Sequence, residues 1–185
     1  FLNHFLSMGI DKGWGKKGID EGSMDKPHAI LDVASGTGDI AIAAAKLLTE
    51  KIIGIDIADK MLEVGRKKIA AANLQHVITL LTGDSESMPF ATGYFDVVMC
   101  AYGVRNFEHL EAGLKEMSRV LCPGGKVVIL EFSHPTRFPV KQCFRFYFRF
   151  VLPTLGKMVS KHNNAYTYLP ESVMAFPEGQ RFCDI

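Results

Sequence analysis

No apolar run in this chain approaches the roughly 18 residues that cross a bilayer, and its first residues lack the basic and apolar pattern of a secretory leader. The expectation is a soluble, cytoplasmic protein. Charge of one sign is lacking too. Lys and Arg number 21 against 20 Asp and Glu, a formal net charge of +1, so no overall field draws nucleic acid and any basic surface is local. Cys100, Cys122, Cys143 and Cys183 show neither C-x-x-C spacing nor pairing with His at metal-ligand intervals. They read as free thiols of a reducing compartment, with no metal site. Internal repeats and low-complexity linkers are also missing. With 185 residues, 48% of them hydrophobic, the chain can bury one core and is expected to form one domain. It begins at Phe1 rather than Met and stops at Ile185 just after what reads as a helix start, so a piece of a longer polypeptide is expected.

What the chain does have is the segment Ile30-Leu31-Asp32-Val33-Ala34-Ser35-Gly36-Thr37-Gly38-Asp39-Ile40-Ala41. A short apolar run breaks into two glycines and restarts with helical spacing, the pattern of strand, tight turn and helix N-terminus. Without a Cβ, Gly36 and Gly38 can take positive φ and let the backbone approach a ligand. The run fits a loose G-x-G-x-x-A pattern, and Asp56 follows Gly38 by 18 residues, near the place of a ribose-binding acid. Two cofactor classes suit such a loop. Asp39 puts a carboxylate where a pyrophosphate would sit, which disfavours a dinucleotide. S-adenosylmethionine carries a sulfonium and an ammonium instead, and Asp32 and Asp39 are suitable neighbours for them.

Elements alternate along the chain as a parallel α/β sheet requires. Strands are expected at Ala29 to Ala34, Lys51 to Ile57, Val77 to Thr82, Tyr94 to Ala101 and Lys126 to Phe132. Helices are expected at Asp39 to Leu48, Lys60 to Ala72 and Leu110 to Leu121, the last ended by Pro123-Gly124-Gly125. Apolar strands separated by helices place helices on both faces of the sheet. Ligands of such sheets bind beyond the carboxyl ends of the strands, near the switch in strand order. Gly36, Asp56, Asp84, Ala101 and Glu131 all fall at or just past strand ends.

Beyond the fifth strand, Phe138 to Leu152 interleaves Phe144, Phe146, Tyr147, Phe148 and Phe150 with Lys141, Arg145 and Arg149. A helix here carries one basic stripe and a broad aromatic face. It reads either as a cap packed on the core with solvated cations, or as a greasy lid for an apolar substrate or a surface touching anionic lipid. The run from Phe1 to Ile10, with Trp14, reads as a second cap. The division is then a cap at 1–28, a cofactor-binding core at 29–135 and an aromatic-rich lid or substrate region at 136–185.

The series Leu31 to Asp39, Gly54-Ile55-Asp56-Ile57, Gly83-Asp84-Ser85-Glu86-Ser87-Met88-Pro89-Phe90 and Pro123-Gly124-Gly125 resembles the class I S-adenosylmethionine-dependent methyltransferases. Tyr102-Gly103-Val104-Arg105-Asn106, Leu130-Glu131-Phe132-Ser133-His134-Pro135 and Ala165 to Val173 narrow the resemblance to the ubiquinone/menaquinone biosynthesis C-methyltransferase family. It covers nearly the whole chain, and it implies a Rossmann-like, mostly parallel sheet. That family continues through a further helix and a closing pair of strands, before which this sequence ends.

The resemblance implies S-adenosylmethionine as cofactor, a prenylated quinol as substrate and methyl transfer to a ring carbon, without metal or nucleic acid. Gly36, Thr37 and Gly38 would line its methionine part, and Asp56 would accept from both ribose hydroxyls. Asp84 and Ser85 sit where the family contacts adenine, with a turn-forming Asp as the alternative. Ala101 would touch the cofactor through its backbone. Arg105 and Asn106 are placed to steady a developing phenolate oxygen. The competing reading makes Arg105 an ion-pair partner of Glu131 or Glu108. Glu131 and His134 are secondary base candidates. Two other classes stay open: an oxidoreductase on the same glycines, and a non-catalytic cofactor-binding subunit of a quinone-synthesis assembly.

Overall fold

A computed structural model describes residues 27–132, 137–139, 141–142, 146, 172–173, 175–177 and 179–185. Residues 1–26 of the first cap, most of the aromatic stretch and His134 lie outside the described residues.

Five strands form one parallel sheet: β1 (Ala29–Val33), β2 (Lys51–Asp56), β3 (Ile78–Thr82), β4 (Phe95–Ala101) and β5 (Leu121–Leu130), in the order β3-β2-β1-β4-β5. The chain builds outward from β1 in one direction, then returns to its other side with β4. The switch point therefore lies between β1 and β4. All five residues of β1 are buried, as expected of a continuous apolar run covered on both faces.

Helix α1 (Asp39–Ala44) tightens into a 3-10 turn at Ala45–Leu47, and α2 is Asp59–Ala71. Ala41 and Ala44 of α1 and Leu62 and Ile69 of α2 join Ile30, Ile52, Leu80, Val97 and Met99 of the strands in one buried cluster. Close packing needs small residues here: a Cβ on Gly65 would meet Leu80 Cδ1 at 2.6 Å and the Thr37 carbonyl oxygen at 3.1 Å. A 3-10 turn, Val104–Asn106, follows β4, and α3 runs from Leu110 to Val120.

The boundaries expected from sequence hold to a residue or two, except at the end of α1, where the α-helix stops at Ala44 and the 3-10 turn takes over, and at β5. Helix α3 passes into β5 with no intervening loop, and Pro123-Gly124-Gly125 lies inside the strand. Phe95 pairs with Leu121 but Val97 with Lys126, so the Pro-Gly-Gly segment forms an irregularity that bulges from the ladder. Proline lacks a ladder donor and is tolerated at such a bulge, and Gly124 takes the φ of +83° that the turn requires.

The chain divides into two units, Phe1–Glu131 and Phe132–Ile185. In the second unit, α4 (Gln180–Cys183) is a single turn, and the Phe176 ring lies 5.2 Å from that of Phe182.

Candidate cofactor site at the strand ends

The glycine turn grows directly out of β1. The Gly38 amide donates to the Ser35 carbonyl at 2.8 Å, and Gly36 and Gly38 take φ of +54° and +73°. A Cβ on Gly36 would meet Met61 Cε at 3.0 Å in a conformation that L side chains rarely adopt, so this position suits glycine on two counts. Both glycines are buried, and Thr37 between them is half-buried.

Asp56 ends β2 and organises its neighbours. Its Oδ2 accepts the Gly36 amide and its Oδ1 the Ala58 amide, each at 2.8 Å, while its carbonyl accepts the Gly83 amide at 3.0 Å. One residue thus ties together the loops after β1, β2 and β3. Each carboxylate oxygen keeps a second lone pair. Ile57, next in the chain, is 78% exposed. It is an apolar side chain held in water next to Asp56. Sequence reading passed it over because it looks like the last residue of a buried strand.

Asp32 lies in mid-β1, opposite Gly54 on one side and Met99 on the other, and is 1% exposed. Burial pushes its carboxyl up to about 8, with Asp56 and Asp39 adding repulsion and an Ala41 backbone N–H opposing them. Its Oδ2 is buried without a hydrogen-bond partner among the described residues. An orphaned oxygen in an acid of this kind is a poor structural feature by itself, and it fits a cationic ligand at the strand ends.

Asp39, expected beside that cation, is paired with a lysine of this chain. Its carboxylate accepts from Thr37 Oγ1 at 2.8 Å and from Lys68 Nζ at 2.9 and 3.0 Å, and its side chain is 56% exposed. Lys68 Nζ also donates to Thr37 Oγ1 at 2.8 Å, so α2 fastens the glycine turn from outside.

After β3, Asp84 Oδ1 accepts the Glu86 amide at 2.8 Å, and Asp84 bridges to Ser87. Asp84 is therefore a turn former as well as an exposed carboxylate, and Ser85 beside it is half-buried. Ala101 closes β4, half-buried, and the Tyr102 amide donates to the Leu130 carbonyl at 2.7 Å. At the switch point itself, a Cβ on Gly103 would lie 2.5 Å from Ala34 Cβ, so only glycine lets the loops after β1 and β4 close on each other.

Arg105 is not presented to solvent. Its Nη1 donates to Glu131 Oε1 at 2.5 Å and to the Tyr102 carbonyl at 2.7 Å, its amide donates to Glu131 Oε2 at 3.3 Å, and both side chains are 6% exposed. Of the two roles that the sequence leaves open for Arg105, the geometry matches the ion pair with Glu131. It also holds Tyr102 at its positive φ of +59°. Glu131, a secondary base candidate in the sequence, is the acid of this pair. Asn106 is exposed, with its amide 3.5 Å from the Tyr102 carbonyl. Burial, with Asp32 and Glu131 nearby, raises the Cys100 thiol well above its ordinary value, so it stays protonated and inert. Among the described residues no cluster of His, Cys, Asp or Glu is arranged to hold a metal, and no helix is long and apolar enough to cross a membrane.

Known proteins resemble this chain. Residues 1–185 match the ubiE/COQ5 methyltransferase family. The chain is 49% identical over 180 residues to the demethylmenaquinone methyltransferase of Bacteroides fragilis, an alignment covering 97% of this chain and 74% of that protein. It is 45% identical to the ubiquinone/menaquinone biosynthesis C-methyltransferase UbiE of Geotalea daltonii, covering 98% of this chain and 78% of that one. Among solved structures, the YcgJ protein of Bacillus subtilis superposes with a TM-score of 0.63 at 24% identity, over 74% of this chain and 58% of that one, a likeness of fold. The sheet, the glycine turn and the match along the full sequence agree: this chain is an S-adenosylmethionine-dependent methyltransferase with the Rossmann-like class I fold, and it belongs to the ubiE/COQ5 methyltransferase family.

Proposed function

We propose that the chain methylates a ring carbon of a prenylated quinol in menaquinone or ubiquinone biosynthesis, with S-adenosylmethionine held at the carboxyl ends of β1 to β4. The relatives' names supply the substrate class. The single observation that carries the cofactor reading is the buried, orphaned Asp32 oxygen beside a glycine turn bonded to Asp56. When bound, S-adenosylmethionine supplies an electrophilic methyl group on a sulfonium.

The protein's part is to bind, orient and keep water away. Gly36, Thr37 and Gly38 line the methionine portion, with Asp32 facing its positive charge. Asp56 accepts the ribose hydroxyls through its remaining lone pairs. Ile57 covers one face of the adenine, while Asp84 and Ser85 meet its polar edge. Ala101 contributes its backbone at the switch point.

Asn106, exposed on the loop after β4, is the donor for the quinol oxygen. Arg105 acts differently from a free cation. A guanidinium neutralised by a buried carboxylate has little charge left for an oxygen some distance away, so its work is to fix the Tyr102–Asn106 loop in place.

Titration calorimetry with S-adenosylhomocysteine and with NAD tests the cofactor assignment. Saturable binding of the first and none of the second is expected. Binding of NAD alone would overturn it.

A further inference from the structure

The loop after β3 has almost no support of its own: within it stand the Asp84–Ser87 bridge and short turns at Glu86 and Phe90. Its remaining described side-chain tethers run to α3 and the residue before it. The Met88 amide donates to Glu116 Oε2 at 2.8 Å, and the Met88 carbonyl accepts from Arg119 Nη2 at 3.0 Å. Arg119 Nη1 donates to the Phe90 carbonyl at 2.8 Å. The two side chains are themselves joined, Arg119 Nε to Glu116 Oε1 at 2.6 Å and Nη2 to Oε2 at 2.8 Å.

Met88 is 4% exposed, so both of its backbone groups need partners, and a bidentate ion pair one helical turn long supplies them as a neighbouring strand would. Arg119 holds the Glu116 carboxyl below its ordinary range, and Glu116 holds Arg119 above its own, so the pair stays ionised at every working pH. At the other end of the loop, Glu86 accepts the His109 amide at 2.7 Å and contacts His109 Nδ1 at 2.9 Å, which caps α3 with a carboxylate. Helix α3 starts at Leu110, with three residues between it and the Val104–Asn106 turn. One helix therefore follows closely on the turn proposed for the substrate side and holds the loop proposed for the adenine along its length.

We propose that Glu116 and Arg119 are positioning residues for the cofactor: they set the height of the Asp84–Phe90 loop against the adenine without touching it. The inference rests on the reading above that Asp84 and Ser85 meet the adenine. A planar, five-donor fork is needed to reach two carbonyls and a carboxylate at once, which lysine cannot do. Arg119→Lys thus keeps the charge and loses the geometry, and Glu116→Gln keeps an acceptor for Met88 while removing the ion pair.

The test uses the full-length protein and reads calorimetric affinity for S-adenosylhomocysteine and for the nucleoside fragment 5′-methylthioadenosine, steady-state kinetics and melting temperature. Both variants should weaken both ligands by the same factor, about tenfold or more. KM for S-adenosylmethionine should rise by that factor, whereas kcat at saturating cofactor stays within about threefold of the parent. A lowered melting temperature with both affinities unchanged would overturn the inference and leave the pair purely structural. Loss of S-adenosylhomocysteine affinity with the nucleoside fragment unaffected would overturn it as well. An unsubstituted protein that binds neither ligand would sink the cofactor reading itself, and the inference with it.

Discussion

The Gly36 amide donates to Asp56 Oδ2 at 2.8 Å, so the acid assigned to the ribose is also a structural member of the glycine turn. Asp56 ends β2, and Gly36, 20 residues earlier, lies in the turn after the neighbouring parallel strand β1, so the bond ties the end of one strand to the turn after the other. The proposed function thereby couples cofactor affinity and turn geometry in one carboxylate.

Asp56→Ala should accordingly do two things at once. Loss of the charge-assisted bonds weakens S-adenosylhomocysteine binding by about 1.5 to 3 kcal/mol, and the Gly36 and Ala58 amides lose their acceptor, lowering the melting temperature. Calorimetry and thermal unfolding on the same preparation separate the two effects. Unchanged affinity would remove Asp56 from the site.

Asp32 gives stability a particular pH dependence. Its folded-state value of about 8 exceeds the ordinary 3.8, so the folded chain binds this proton more tightly than the unfolded one. Its contribution is intact below the ordinary value, declines as pH rises between the two values and levels off above the higher. Asp32→Asn should flatten that part of a melting-temperature profile. A bound cation reverses the preference, so cofactor binding near neutral pH should release a proton. Calorimetry in two buffers of different ionisation enthalpy detects the release, and equal heats in both would contradict it.

The buried Arg105–Glu131 pair is expected to behave as a unit. Arg105→Ala leaves Glu131 buried without its charge partner and should cost about 3 to 5 kcal/mol, whereas replacing both residues with apolar side chains of similar volume should recover much of the loss. Asn106→Ala should leave the melting temperature alone and lower kcat. Turnover and unfolding of these variants together decide the matter. An Arg105→Ala protein of unchanged stability with kcat reduced by about 10² would restore Arg105 as a direct stabiliser of the quinol oxygen.

Gly103→Ala tests the closure of the switch point. Its Cβ would lie 2.5 Å from that of Ala34, and overpacking of this kind costs about 1 to 3 kcal/mol. Chemical denaturation should show that loss, with weaker cofactor binding because the loops after β1 and β4 are pushed apart. Ala34→Gly in the same chain should relieve the clash.

The sheet was legible in the sequence because its signals are local. Apolar runs such as Ile52–Ile55 bounded by Asp56, and the glycine turn after Val33, fix strand, turn and helix from neighbours in the chain. The start of β5 was not legible. Pro123-Gly124-Gly125 reads as a helix stop, and only the pairing of Phe95 with Leu121 across the bulge makes strand of it. Side-chain partners were the least accessible. Nothing near Asp39 announces that Lys68, 29 residues on, will pair with it. For Arg105 the sequence leaves two roles open, and the pairing with Glu131, 26 residues further on, becomes visible only in the fold. Glu116 and Arg119 look like an ordinary solvated pair on a helix, since the backbone they serve belongs to another segment.

The most direct test is methyl transfer itself. The full-length protein, supplied with S-adenosylmethionine labelled in the methyl group and with reduced demethylmenaquinone or its methoxy-benzoquinol counterpart, should place the label on a ring carbon of at least one of them. Label on a quinol oxygen, or none on either quinol while S-adenosylhomocysteine still binds, would contradict C-methylation of a prenylated quinol by this chain.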